Sequence, residues 1–263
     1  MKRIGLFSFS IAALVAAAAA CSDTTAPSAA VTATTDSLIT ADVAATSGDA
    51  MASTVETMIG NEGAGGFQET GASFDRQSTQ DLTVQRVVTC YDSTGKAQSA
   101  CHALTTDSAV IQVTVNGSRR GTRERGKDTS NYTVSVHRTQ TLTITGLLGQ
   151  ETSRTHNGSG ASHDTTTFTG TSGSGTLSEA ATDSIINVVF NLPRSSNPWP
   201  VSGSLIRNST VSASLTVAGT TQTKSTTRRA VITFPADAQG NVSITIGTNI
   251  CSLNLVTHKV TCP

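Results

Sequence analysis

Beyond Gly66 the apolar residues recur at every second position, and this pattern decides the fold class. A period of two gives a strand one buriable face and gives a helix none. It is clearest between Asn131 and Thr145, where Tyr132, Val134, Val136, Leu142 and Ile144 share one side and Thr133, Ser135, Thr143 and Thr145 the other. The abundant threonine suits the same structure, since its β-branched side chain fits a pleated surface. Further strands are expected over 82–90, 109–116, 152–157, 164–169, 184–190, 202–217, 220–234 and 242–247, with a final hairpin over 251–262. Turns are expected at Asn116-Gly117, 146–149, 157–160, 173–175, Gly219 and 237–241. Connections this short make neighbouring strands antiparallel. The expected fold is therefore mostly β: an extended antiparallel meander sheet, open and curved or sandwich-like.

One short N-terminal helix is expected ahead of the sheet, over about residues 41–59, because Met51, Val55 and Met58 fall at i, i+4 and i+7. Ser47 or Asp49 could cap its firmer second part, and Gly48 is expected to break it. Residues 21–36 are Thr, Ala and Ser with Pro27, too poor in apolar groups to order themselves, and read as a flexible tether. The chain thus divides into 1–20, a tether over 21–36 and a single β domain over 37–263. Within that domain Pro193, Pro198 and Pro200 interrupt any ladder, so 192–200 is expected to cross a rim. Trp199, the only tryptophan, is expected to close the sheet end as an aromatic lid, with a ligand platform as the alternative.

The first twenty residues carry an address. Lys2 and Arg3 form a basic segment, 4–17 an apolar one, and Ala18-Ala19-Ala20 places small residues before Cys21. This arrangement resembles the signal peptide and lipobox of bacterial lipoproteins, with Ala18 where that family prefers Leu. Ala18-Ala19-Ala20 also fits an ordinary secretory cleavage site, which keeps a secreted protein as the alternative. The resemblance implies a diacylglycerol on Cys21, an acyl chain such as palmitate on its amine, and a membrane anchor too apolar to dissociate. Ser22 rather than Asp follows the cysteine, which by the family's sorting rule implies the outer membrane. The mature domain resembles no characterised family.

Five cysteines agree with that reading, because lipidation of Cys21 would leave an even number for an oxidising compartment. Cys90 and Cys101 enclose a strong turn sequence, and Cys251 and Cys262 enclose another hairpin. Local pairing is expected over the other two connectivities, since a hairpin brings its own sulfurs together. Each closed loop should contribute about 3 kcal/mol.

Charge and motif narrow the function by exclusion. With 18 Lys and Arg against 18 Asp and Glu, the chain lacks the basic surplus that a nucleic-acid partner calls for. No G-x-S-x-G, H-E-x-x-H or Walker sequence is present, and no catalytic residues or cofactor are assigned. His137, His156, His163 and Asp164 are the one constellation suited to zinc or copper, if turns at 146–149 and 157–160 bring three strands together. Solvated strand-face histidines account for the same residues. Arg119, Arg120, Arg123, Glu124, Arg125 and Lys127 are expected to form a charged loop, either a headgroup contact or a solvated hairpin.

The expected function is a membrane-anchored, non-catalytic binding or structural module of the cell envelope, with an envelope protein as its possible partner. The alternative is a carrier of a hydrophobic ligand, resembling outer-membrane lipoprotein receptors with half-barrel sheets. Arg138 and Gln140 weigh against it, because they interrupt the apolar lining such a face needs. An envelope enzyme or metal-binding protein comes after these. A transmembrane β-barrel comes last, since Thr and Ser crowd the alternate positions and aromatic girdles are lacking.

Overall fold

Period-two segments become one continuous sheet in the computed structural model, which describes residues 29–60, 80–102, 104–125, 128–171, 173–194 and 197–262. The strands are β1 (Gln80–Tyr91), β2 (Ala97–Gln98), β3 (Ser108–Arg125), β4 (Asp128–Thr145), β5 (Ser153–Gly170) and β6 (Gly173–Asn191). They continue with β7 (Ser202–Val217), β8 (Thr220–Thr233), β9 (Asn241–Ile246), β10 (Asn249–Asn254) and β11 (Val260–Thr261), preceded among the described residues by one helix, α1 (Ala29–Gly60). The sheet is open and antiparallel throughout, in the order β11-β10-β9-β8-β7-β6-β5-β4-β3-β1-β2. Apart from β2, which folds back outside β1, each strand lies beside its sequence neighbour.

Alternation sets the two faces. On β4 the residues Val134, Val136, Leu142 and Ile144 are buried, while Ser135, His137, Thr139 and Thr141 face solvent. The buried side continues through Ile111 on β3, Ile185, Val188 and Phe190 on β6, Leu205 on β7 and Ile232 on β8, and α1 covers it with Ile39, Val43, Met51, Val55 and Met58. Both outermost strands are the short arms of disulfide-closed hairpins. Cys90–Cys101 ties β2 to β1 and Cys251–Cys262 ties β11 to β10, with Cα atoms 5.4 and 4.3 Å apart. Local pairing was the expected connectivity, and it also fixes the ends of the sheet.

Several expectations are corrected. α1 begins at Ala29 rather than near 41, so helix replaces the second half of the expected tether. Gly48 does not break it. This glycine is buried mid-helix, and a Cβ there would collide with the side chain of Val260, so its function is close approach to β11. The expected turn over 157–160 is strand: 152–157 and 164–169 are parts of one strand, β5. A Cβ at Gly158 would run into the Thr141 carbonyl, which shows that glycine there serves a close strand approach at a β-bulge. Asn116-Gly117 likewise lies within β3, opposite His137 and Val136, and Gly173 opens β6. In consequence the charged loop expected over 119–127 is largely strand, with β3 running to Arg125 and β4 starting at Asp128. Cys21 and the signal-like segment lie outside the described residues.

Curvature follows from one carboxylate. β3 and β10 are separated by six strands, which in a flat sheet would hold them about 34 Å apart. Nevertheless Arg119 of β3 and His258, just after β10, both contact Asp49 of α1. The sheet therefore curls around the helix, and its concave face is filled.

Candidate functional site

Charged residues at inward positions of the strands form a belt across this concave face. Asp49 is its hub on α1. One oxygen meets the Arg119 guanidinium and lies 3.9 Å from Arg138 Nη2; the other lies 3.0 Å from His258 Nδ1. On the far side of the imidazole, Nε2 is 3.0 Å from Glu56 Oε1, a contact at ion-pair distance but poorly aligned as a hydrogen bond. Arg138 also donates from Nη2 and Nε to Asp164 Oδ2, at 2.6 and 3.2 Å.

The belt continues on β5, β6 and β7. Arg207, only 1% exposed, donates from Nε to Glu179 at 3.2 Å, from Nη1 to both Asp183 oxygens at 2.8 and 3.0 Å, and from Nη2 to Ser162 Oγ at 2.8 Å. Asp164 and Glu179 are direct cross-strand neighbours, and the two arginines that bind them supply the compensating charge. Asp164 Oδ1 is buried with no hydrogen-bond partner among the described residues.

For Asp49, Arg138 and His258 burial works against the charge, and the partners outweigh it. Although burial would raise the Asp49 pKa, the His258 hydrogen bond and the Arg119 and Arg138 charges hold it far below the carboxylate range. For Arg138, burial is outweighed by Asp164 and Asp49, which raise its pKa. Burial similarly opposes the His258 imidazolium, and the hydrogen bond to Asp49 with the charges of Asp49 and Glu56 raises its pKa above the ordinary 6.5.

His258 thus binds its proton more tightly in the folded chain than in the unfolded one. Its contribution to stability is complete below about pH 6.5 and is lost as the pH rises through the folded value. The thermal midpoint is accordingly expected to fall as the pH rises above about 6.5, and to fall less in His258→Gln. Equal pH slopes in the two proteins would contradict this coupling.

The expected metal constellation does not assemble. His163 and Asp164 are consecutive in β5 and so lie on opposite faces: His163 is exposed beside His137, whereas Asp164 is buried in the belt. His156 is on the buried face but eight residues from Asp164, about 27 Å along the strand, with its ring 5.1 Å from that of Phe190. Among the described residues no group of three or more His, Cys, Asp or Glu could hold a metal ion. His137 instead pairs through Nδ1 with the Asn116 amide oxygen on the outer face.

That outer face is a lattice of hydroxyls. Cross-strand rows such as Ser135, Thr165, Ser178, Ser212 and Ser225 run across five strands. A groove of about 750 Å³ crosses it toward the β8 edge, between Ala161, Thr182, Asn208 and Arg229 on one side and Ala180 and Thr210 on the other. Trp199 is half-buried against the core, and a Cβ on Gly240 would come within 2.7 Å of its ring. It packs against the core, as the expected lid does.

Sequence reasoning missed most of this belt. By sequence Asp49 is only a candidate helix cap and Arg138 only an interruption of an apolar face, and nothing marks Glu179, Asp183 or Arg207 as members of a site. A signal existed in the strands: Arg138, Asp164, Glu179, Asp183 and Arg207 all stand at positions where alternation calls for an apolar side chain. Comparison with family models, with characterised proteins and with solved structures finds no match for this chain.

Proposed function

We propose that this chain is a cell-envelope lipoprotein, anchored through Cys21, whose β domain is a non-catalytic structural or partner-binding module. The observation that carries the domain's role is that α1 fills the concave face and is fixed there by Asp49. A carrier of apolar ligands needs that face vacant, and an enzyme needs its charged groups reachable by substrate. Here those groups bind one another. The outer face presents Thr, Ser and His, which suits contact with water or a polar partner better than contact with lipid tails. No described helix is long and apolar enough to cross a membrane.

The test is to express the full chain in a bacterium fed a labelled fatty acid, alongside Cys21→Ser. Label and detergent-phase partition are expected in the parent and not in the variant. Equal partition of both would remove the anchor, and a stoichiometric second lipid in the native mass of the parent would turn the reading to a carrier.

A further inference from the structure

We propose that His137 and His163 form a site for one divalent transition ion on the outer face of the sheet, with copper(II) its tightest occupant. The two residues are direct cross-strand partners on β4 and β5, and both are exposed. Side chains so placed have Cβ atoms about 4.5–5.5 Å apart, a gap that two imidazoles close around a single ion with metal to nitrogen bonds of about 2 Å. This pair needs neither His156 nor Asp164, which strand length and parity hold away from it. The remaining histidines are not so placed: His156 is buried against Phe190, His258 lies between Asp49 and Glu56, and His102 stands outside any strand.

Asn116 readies one of the two rings. It stands opposite His137 on β3, and its amide oxygen pairs with His137 Nδ1. That oxygen only accepts, so the ring proton is on Nδ1 and the lone pair is on Nε2, the state that a metal binds. The same hydrogen bond sets the direction of the ring, as outer partners of histidine ligands do. The two nitrogens of an imidazole lie on opposite sides of the line through Cβ and Cγ. A ring whose Nδ1 turns to β3 therefore directs Nε2 outward and to the β5 side, where His163 stands. His163 itself has no hydrogen-bond or ion-pair partner among the described residues, so its lone pair is available. The surroundings are small and uncharged. Ala161 and Ala180 flank His163 along β5 and across on β6, while Ser135 and Thr139 flank His137 along β4. These short side chains leave room for water to complete the coordination. Two imidazole nitrogens with water suit the tetragonal geometry of copper(II), which binds such ligands more tightly than nickel or zinc does.

The experiment adds copper(II) chloride to the untagged full chain carrying Cys21→Ser, with both disulfides intact and no free thiol left. Titration calorimetry is expected to give one copper per chain, with two nitrogen ligands in its electron paramagnetic resonance spectrum. His137→Gln and His163→Gln should each weaken binding about a hundredfold, because each removes one arm of a chelate. His102→Gln should bind as the parent does. A second measurement needs no variant: diethyl pyrocarbonate should acylate His137 and His163 in the free chain, and one equivalent of copper should protect both while His102 still reacts. A parent that binds no copper at about 0.1 mM overturns the proposal. So does a folded His137→Gln or His163→Gln that keeps the parent's affinity, or protection of only one of the two histidines. If a variant fails to fold, the protection pattern of the parent decides.

Discussion

Arg207→Met is expected to lower the unfolding free energy by about 3–5 kcal/mol, the largest loss from any single change in the belt. The side chain is 1% exposed and donates to Glu179, Asp183 and Ser162 at once. Methionine fills much of its volume but leaves Glu179 and Asp183, both on β6, without the cation they share. The uncompensated charge, more than the lost hydrogen bonds, sets the magnitude. Two features make the expectation specific. Adding Glu179→Gln and Asp183→Asn should recover most of the loss, because the orphaned charges are then gone. The urea midpoint should shift at unchanged slope, since the same surface is exposed on unfolding. A loss below about 1 kcal/mol would place Arg207 with exposed pairs, whose removal costs little.

Asp49→Ala is expected to cost about 3 kcal/mol, at the low end of the same range. Arg119 and Arg138 keep 18% exposure and so partial hydration, and alanine returns up to about 0.7 kcal/mol of helix propensity. What distinguishes this variant is where the loss falls. Asp49 joins α1 to β3, β4 and the segment after β10, so amide exchange should accelerate in α1 while the β5 and β6 amides keep their protection. The variant should also flatten the alkaline fall in stability, because His258 loses one of the two carboxylates that hold its proton. Uniform acceleration across helix and sheet would show instead that α1 and the sheet open as one unit.

Much of the fold was legible because its cause is local. Side-chain alternation on β4, β7 and β8 has the period of a strand, and the Cys90–Cys101 and Cys251–Cys262 pairs needed only hairpin geometry to be matched. Failures arose where glycine has two meanings. At Gly219 it makes the turn expected of it, with φ of 79°, but at Gly48 and Gly158 it admits a neighbour, and the two uses look alike in sequence. The site was less legible than the fold. His137, His156, His163 and Asp164 were grouped by nearness in sequence, although strand parity already separates His163 from Asp164 and β5 is too long to bring His156 back.

By itself, then, the sequence determined a mostly β chain of antiparallel neighbours and the apolar side of its clearest strands, for these depend on residues two apart and on short connections. Only the tertiary structure decided that Asp49 faces Arg119 and His258 together, and that Arg207 sits between Glu179 and Asp183. Those contacts depend on how far the sheet curls and on where α1 lies within it. Curl and docking are set by the summed packing of eleven strands against one helix, a quantity that no local stretch of residues contains.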